Sequence, residues 1–419
     1  MTSTLRPVLS LLLGTTLLLV GNGLQFTLLP LSGAAYHFSA TLLGLMGSAY
    51  YVGFVAGCLI APFLVQRAGH IRAFTAMVGT AAATVLGHAL VIDPIAWIVL
   101  RAITGFCLAG LYLIIESWLN DRATNENRGL IMSAYIVVNF GAITGGQMLV
   151  TLNPITTFNS FAIASILCSL AVIPVALTRS AQPAPIAKVK FDPLPLYRAA
   201  PVGIVGVFMI GVANGAFWSL GPVFATGNGL DVNDSATLMS VAVVAGALSQ
   251  WPVGQLSDRF DRRKVLAALL TCAALSGIAL WRAPSDVTML MIFGALFGAL
   301  TLPGYSLAAA HAYDKTPPGG YVQTATTVLL ANGAGSIFGP ALASLMMARL
   351  GPSSLFLFTA SMQTLLLIFV LIRIRVRQPT SAEAKAAFDV PATAPVAGPI
   401  TPSKADAADI AASPQQPAA

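Results

Sequence analysis

Two ionisable residues, Arg101 and Glu116, lie inside a long apolar stretch of this 419-residue sequence. A charge inside a membrane span is costly, so such residues usually face a bundle interior or a water-filled path and mark an ion or solute pathway. We therefore consider Arg101 a candidate cavity residue and Glu116 the candidate proton-coupling residue. Because Glu116 lies close to Asn120, near the polar end of the stretch, an interfacial or salt-bridged carboxylate is the alternative.

No group of residues indicates an enzyme. The four histidines are dispersed without the spacing of metal ligands, and the four cysteines each stand alone within an apolar run. The sequence has no glycine-rich loop ending in Lys-Ser or Lys-Thr that would hold the phosphates of ATP. We expect no catalytic residue, no metal and no cofactor.

Composition indicates a protein that is solvated by lipid. Hydrophobic residues make up 56% of the chain, charged residues only 9%, and the mean hydropathy is +0.80. A soluble domain needs a surface that is roughly 25–35% charged, which this chain cannot supply. The net charge of +7 is carried by loops and not by a basic stripe, so we expect the lipid bilayer, and no nucleic acid, as a partner.

The apolar residues fall into about twelve segments, each near the roughly 20 residues that a helix needs to cross a bilayer. The sequence thus predicts an all-α, polytopic membrane protein. The predicted spans are 8–31, 40–65, 73–92, 95–118, 129–151, 157–178, 202–226, 235–256, 265–282, 287–311, 322–348 and 353–374.

Lysine and arginine set the predicted orientation, since they are enriched in cytoplasmic loops. With a cytoplasmic N-terminus, nearly all of the 22 cations fall on the inner side, and the outer loops hold only Arg282 and Arg349. We therefore expect a multi-pass protein of the bacterial inner membrane with both termini in the cytoplasm.

The first and second parts of the sequence carry an internal repeat. Asn22 and Asn214 are 192 residues apart, each followed by glycine, and Arg67 and Arg259 have the same offset. This spacing predicts two pseudo-symmetric six-helix halves. The predicted divisions are an N-terminal half at 1–178, a cytoplasmic linker at 179–200, a C-terminal half at 201–376 and a disordered tail at 377–419.

The polar loop between the eighth and ninth segments, Gly254-x-x-x-Asp258-Arg259-x-x-Arg262-Arg263, resembles the loop signature of the major facilitator superfamily of secondary transporters. The resemblance implies two halves that rock about a central site. It also implies a cytoplasmic gate at Gly254, Asp258, Arg259 and Arg262, in which the carboxylate pairs with the arginines and faces the N-terminus of a neighbouring helix, where an anion is favoured. The alternative is that these cations only determine topology.

Further motifs resemble the YcaD-like branch of this superfamily, which does not fix a substrate. They are Arg101-x-x-x-Gly105, Glu116-Ser117, Asn127-Arg128-Gly129, Ala134-Tyr135 and Gly141-x-x-x-Gly145-x-Gln147. Gly141 and Gly145, like Gly335 and Gly339, also have the small-x-x-x-small spacing that allows close helix packing.

The superfamily architecture implies that helices one, four, seven and ten line the cavity, supported by two, five, eight and eleven. Their polar or aromatic residues are the candidates for the substrate cavity; the alternative is that they bond to other helices. These candidates are Asn22, Gln25, Arg101, Asn139, Asn214, Trp218, Gln250, Tyr305 and Asn332.

A cavity with so little charge favours a small, neutral or weakly charged, partly aromatic solute, such as a vitamin or a nucleoside-like compound. We expect a monomeric secondary active transporter that works by alternating access, with protons as the candidate coupling ion. Two alternatives stay open: a drug or metabolite efflux antiporter, and a non-transporting membrane receptor on the same scaffold.

Overall fold

The computed structural model describes residues 8–124, 127–177, 193–282, 286–317 and 320–376. Within these residues, twelve helices are long and apolar enough to cross a membrane, which confirms the predicted all-α fold. We number them α1 to α12. They are Leu9–Ala35, Ala40–Ala68, His70–Leu90, Pro94–Arg122, Arg128–Leu152, Phe158–Ala176, Pro201–Gly227, Val232–Arg259, Arg262–Arg282, Val287–Tyr313, Tyr321–Leu350 and Ser354–Val376.

The predicted linker holds a short helix that the sequence did not suggest, Pro193–Ala199, which packs beside the start of α7. The remaining part of that linker, 179–192, and the predicted tail at 377–419 lie outside the described residues.

Four helices that begin at the end of the bundle predicted to be outside the cell start with a side-chain cap. Ser39, Asp93, Asp231 and Asp286 each accept a hydrogen bond from a backbone N–H in the first turn of α2, α4, α8 and α10. Such caps satisfy N–H groups that have no partner within the helix. Short polar loops thus fix where these spans start.

The second and fourth helices of each half pack closely together at a glycine, which shows the repeat in three dimensions. A Cβ at Gly105 of α4 would meet the backbone carbonyl of Tyr50 in α2, and a Cβ at Gly298 of α10 would meet the carbonyl of Ala242 in α8. Both pairs join the second and fourth helices of their half. The same packing solution therefore occurs twice, as expected for two pseudo-symmetric halves.

The glycine-spacing prediction is confirmed in α11 and wrong in most of α5. Gly335 and Gly339 lie against the backbone of α7, at Phe208 and Val212, where no side chain would fit. A Cβ at Gly141 or Gly145 would meet nothing within 4 Å, whereas one at the adjacent Gly146 would meet the Val20 carbonyl of α1. Spacing alone shows that glycines share a helix face, but not whether another helix covers that face.

Internal prolines interrupt several spans, among them Pro30 in α1, Pro222 in α7 and Pro340 in α11. A proline inside a helix removes one backbone N–H and bends the helix where its ring meets the preceding turn. These three helices reach the cavity described below, so the interruptions in backbone hydrogen bonding lie where the two halves enclose space.

The two halves contact each other toward the predicted outer end. Ser48 of α2 accepts a hydrogen bond of 3.1 Å from the backbone N–H of Ala341 in α11. Ser240 of α8 donates a hydrogen bond of 3.4 Å to the side-chain oxygen of Gln147 in α5. Since α2 and α8 begin at this end, and α5 and α11 finish there, these contacts close the bundle on that side.

Candidate functional site

A cavity of about 180 Å³ lies between the halves. It is bounded by α1, α2, α4 and α5 on one side and by α7, α8 and α11 on the other, and none of its lining side chains carries a formal charge. The lining residues are Asn22, Phe26, Tyr50, Tyr51, Phe54, Tyr112, Ile136, Asn139, Phe140, Ile143, Trp218, Val243, Leu329, Asn332, Gly333 and Ser336.

Four of the nine predicted cavity residues lie in this lining, namely Asn22, Asn139, Trp218 and Asn332. Among the described residues, the Asn22 Oδ1 and Asn139 Nδ2 atoms are buried without a hydrogen-bond partner, so both amides are available to a solute. Asn332 differs, because its Nδ2 donates a hydrogen bond of 2.9 Å to the Val207 carbonyl and ties α11 to α7.

The other five predicted residues are not part of the lining. Gln25 points toward α6, with its Nε2 at 3.5 Å from the Gly21 carbonyl and 3.8 Å from the Cys168 sulfur. Gln250 and Tyr305 are buried within the C-terminal half, and Asn214 lies on α7 away from the lining. Asn22 and Asn214 occupy equivalent positions in the repeat, but only Asn22 of the two lies in the cavity lining.

Arg101, the fifth of these, lies directly behind the aromatic wall of the cavity. Its guanidinium carbon is 4.5 Å from the centre of the Tyr50 ring and 5.2 Å from that of Phe26. Both rings line the cavity, and they contact each other edge to face with their centres 5.1 Å apart. The mid-membrane cation is thus one aromatic layer away from the space between the halves.

The tyrosines of the wall, Tyr50, Tyr51 and Tyr112, are not among the residues predicted from the sequence. The predicted residues are six amides, one arginine, one tryptophan and one tyrosine, Tyr305. A useful indication was present, since a buried tyrosine usually needs a partner for its hydroxyl. Three such residues within apolar runs suggest a polar interior.

Glu116 lies in the interior of the N-terminal half and is 1% exposed. The Tyr135 hydroxyl of α5 donates to its Oε1 at 2.8 Å. Asn139, which lines the cavity, lies close to both Tyr135 and Tyr112. Polar side chains therefore extend from this carboxylate toward the cavity.

The predicted gate loop contains two separate ion-pair groups. Arg262 lies 3.5 Å from Asp258 and 3.0 Å from Asp314, which follows α10. The side chains of Arg262 and Asp314 are 2% and 1% exposed, whereas that of Asp258 is 40% exposed. Arg262 thus has a buried ion-pair partner in Asp314, a residue the sequence did not single out.

The second group lies in the turn itself, where Arg263 Nη2 donates to Asp261 Oδ2 at 2.8 Å and the Arg263 backbone N–H to Oδ1 at 3.0 Å. Burial alone would raise the pKa of Asp261, but these hydrogen bonds outweigh it and hold the pKa below its usual value. The predicted gate residue Arg259 is exposed, while Gly254 is buried on α8. Hydrogen bonds between Arg263 and Asp261 thus stabilise the conformation of the turn.

The helix arrangement and the shared cavity define a membrane transport protein built from two six-helix halves. The chain belongs to the Major Facilitator Superfamily, whose profile matches residues 11–232 and 203–407. Membership confirms the resemblance read from the loop motif.

Two curated relatives carry the name uncharacterized MFS-type transporter YcaD, in agreement with the predicted branch. The protein from Escherichia fergusonii is 28% identical over 368 residues, covering 87% of this chain and 95% of the relative. The protein from Escherichia coli O17:K52:H18 is 29% identical over the same shares.

Among solved structures, the nucleoside transporter NupG superposes with a TM-score of 0.75 at 13% identity, covering 89% of this chain and all of that one. A bacterial homologue of the human lysosomal transporter Spinster, inward-facing and occupied, gives 0.74 at 14% identity, covering 90% and 97%. These likenesses concern the fold.

Proposed function

We propose that the protein is a secondary active transporter for a small, partly aromatic organic solute that is neutral or weakly charged. The observation that carries the proposal is the cavity, because the N-terminal half lines it with aromatic rings and the unpartnered amide atoms of Asn22 and Asn139, and the C-terminal half adds the Trp218 ring. Ligand sites are typically apolar and aromatic with a few polar groups that fix orientation. Multiply charged solutes would find no charged side chain in this lining.

Transport would proceed by alternating access, in which one half rocks against the other around the site. The hydrogen bonds from Ala341 to Ser48 and from Ser240 to Gln147 hold the halves together at the predicted outer end. Opening toward the outside must break both contacts. Closure at the cytoplasmic end would bring the exposed carboxylate of Asp258 toward the other half, as the gate hypothesis requires. We further propose a monomer with both termini in the cytoplasm.

For coupling, we propose that Glu116 binds and releases one proton per cycle. Tyr135, which donates to this carboxylate, lies close to Asn139, so gain or loss of the proton would change the hydrogen bonding that Tyr135 offers beside the Asn139 amide. The proton and the solute thus act on a shared set of side chains. Sharing side chains in this way allows the flux of protons to drive the flux of solute without ATP.

The test uses the purified full-length chain in proteoliposomes under an imposed pH gradient, with radiolabelled uridine, nicotinate and indole-3-acetate as solutes and a trapped pH-sensitive dye as the proton readout. The wild type should accumulate at least one solute together with a pH change. Glu116→Gln should abolish accumulation but retain solute exchange, because exchange needs rocking and no net proton movement.

Asp93→Asn is the matched control, since it lies on the same helix and an asparagine keeps its capping role. It should transport like the wild type. Binding of a solute without any flux would favour the receptor alternative, and accumulation by the Glu116→Gln variant would remove the coupling role from Glu116.

A further inference from the structure

Arg101 is a buried cation for which the described residues supply no counter-ion. It is 4% exposed, and within the described chain its Nε and Nη1 atoms are buried with no hydrogen-bond partner. A guanidinium carries five N–H donors and no acceptor, and it stays charged at any physiological pH. Burying such a group without an acceptor is expensive, so its retention at mid-membrane depth indicates a partner that is present for part of the working cycle.

The surroundings of Arg101 satisfy its charge only in part. The faces of the Tyr50 and Phe26 rings attract the cation, at 4.5 Å and 5.2 Å, but they leave its N–H donors without an oxygen. Glu116 lies on the same helix about 22 Å away, at roughly 1.5 Å per residue. It therefore cannot reach the guanidinium, and its Oε1 already accepts from Tyr135.

The cavity begins on the far side of those two rings. Tyr50 and Phe26 both belong to its lining, as does Asn22, one helical turn before Phe26. Rotation of the Tyr50 ring would open Arg101 to the cavity while its aliphatic and aromatic neighbours keep it in place. An occupant with an aromatic portion against Trp218 could then place a polar group at the guanidinium.

On the basis of the transporter role proposed above, we propose that the solute is a monocarboxylate and that Arg101 binds its carboxylate. This narrows the neutral or weakly charged class to a single negative charge. The planar guanidinium matches a carboxylate with two parallel hydrogen bonds, which an amide or an alcohol cannot reproduce. One guanidinium balances one negative charge, whereas a phosphate monoester or a dicarboxylate would leave an excess charge in a lining that has no cation.

The experiment compares matched acids and amides on the purified full-length protein, by thermal unfolding at increasing ligand concentration. The probes are indole-3-acetate with indole-3-acetamide and nicotinate with nicotinamide. At least one acid should raise the unfolding temperature with an apparent Kd at least tenfold below that of its amide. Arg101→Gln should weaken the acid at least tenfold and leave the amide unchanged.

Arg282→Gln is the matched control, because the Arg282 guanidinium also lies over a ring, 4.6 Å from the centre of Trp281, but at the end of α9. It should bind acids like the wild type. Arg101→Lys keeps the charge without the planar guanidinium, so it should show a reduced preference for acids. This variant tests the role of Arg101 if the glutamine variant does not fold.

Equal binding of acids and amides by the wild type would overturn the proposal, as would the absence of stabilisation by either acid, or an acid preference that survives Arg101→Gln. The measurement involves no flux. A failure here therefore leaves the transporter role standing, whereas acid binding without transport in proteoliposomes would refute that role alone.

Discussion

Asp314→Asn should destabilise the protein far more than Asp258→Asn, although both carboxylates contact Arg262. The Arg262 to Asp314 contact is 3.0 Å long, with side chains only 2% and 1% exposed. Removing one partner of a buried ion pair typically costs about 3–5 kcal/mol, and the exposed carboxylate of Asp258 can offset only part of that loss. The contact with Asp258 is 3.5 Å long and its carboxylate is 40% exposed, so its loss should cost only about 0–1 kcal/mol.

The assay is reversible unfolding of the purified variants in mixed detergent micelles, followed by tryptophan fluorescence. Asparagine keeps the shape of aspartate, so each difference reports the charge. A double-mutant cycle with Arg262→Gln should give a coupling of several kcal/mol for Asp314 and a small one for Asp258. If Asp314→Asn costs no more than Asp258→Asn, the buried pair does not stabilise the loop and the reasoning fails.

Three further predictions follow from the fold. Asp258→Asn should reduce solute flux while the amount of protein in the membrane stays constant; unchanged flux would contradict the gate role. Gly339→Ala should destabilise by about 1–3 kcal/mol, because its Cβ would meet the α7 backbone. In contrast Gly141→Ala, which meets nothing within 4 Å, should be neutral or stabilise by up to about 1 kcal/mol. A single cysteine at Asn233, at the start of α8, should react with an impermeant reagent in intact cells, and protection would invert the predicted topology.

The spans could be predicted because hydropathy is a local property, and the bilayer sets their length. Asn22, Asn139, Trp218 and Asn332 could be proposed for the cavity because polar or aromatic side chains in apolar helices are rare. Composition could not tell them from Gln25, which points toward α6. The direction of a side chain depends on the rotation of each helix, which packing against other helices decides.

The ion pairs show that a contact between residues far apart in the sequence is harder to predict than a local one. The pairing of Asp258 with Arg262 is an i, i+4 contact and could be expected from spacing. Asp314 reaches Arg262 only because α10 ends beside the turn between α8 and α9, a proximity that no local pattern contains. Gly141 is the opposite case, because its spacing predicts close helix packing where an added Cβ would meet nothing within 4 Å.

The prolines have a consequence for how the site can be probed. Pro30, Pro222 and Pro340 each lack the N–H that would bond the carbonyl four residues earlier. Those carbonyls belong to Phe26, Trp218 and Ser336, and all three residues line the cavity. These carbonyls therefore lack their usual helical donor at residues that line the cavity, and replacing side chains leaves them unchanged. Substituting the prolines themselves, which restores the missing donors, is the change that tests them.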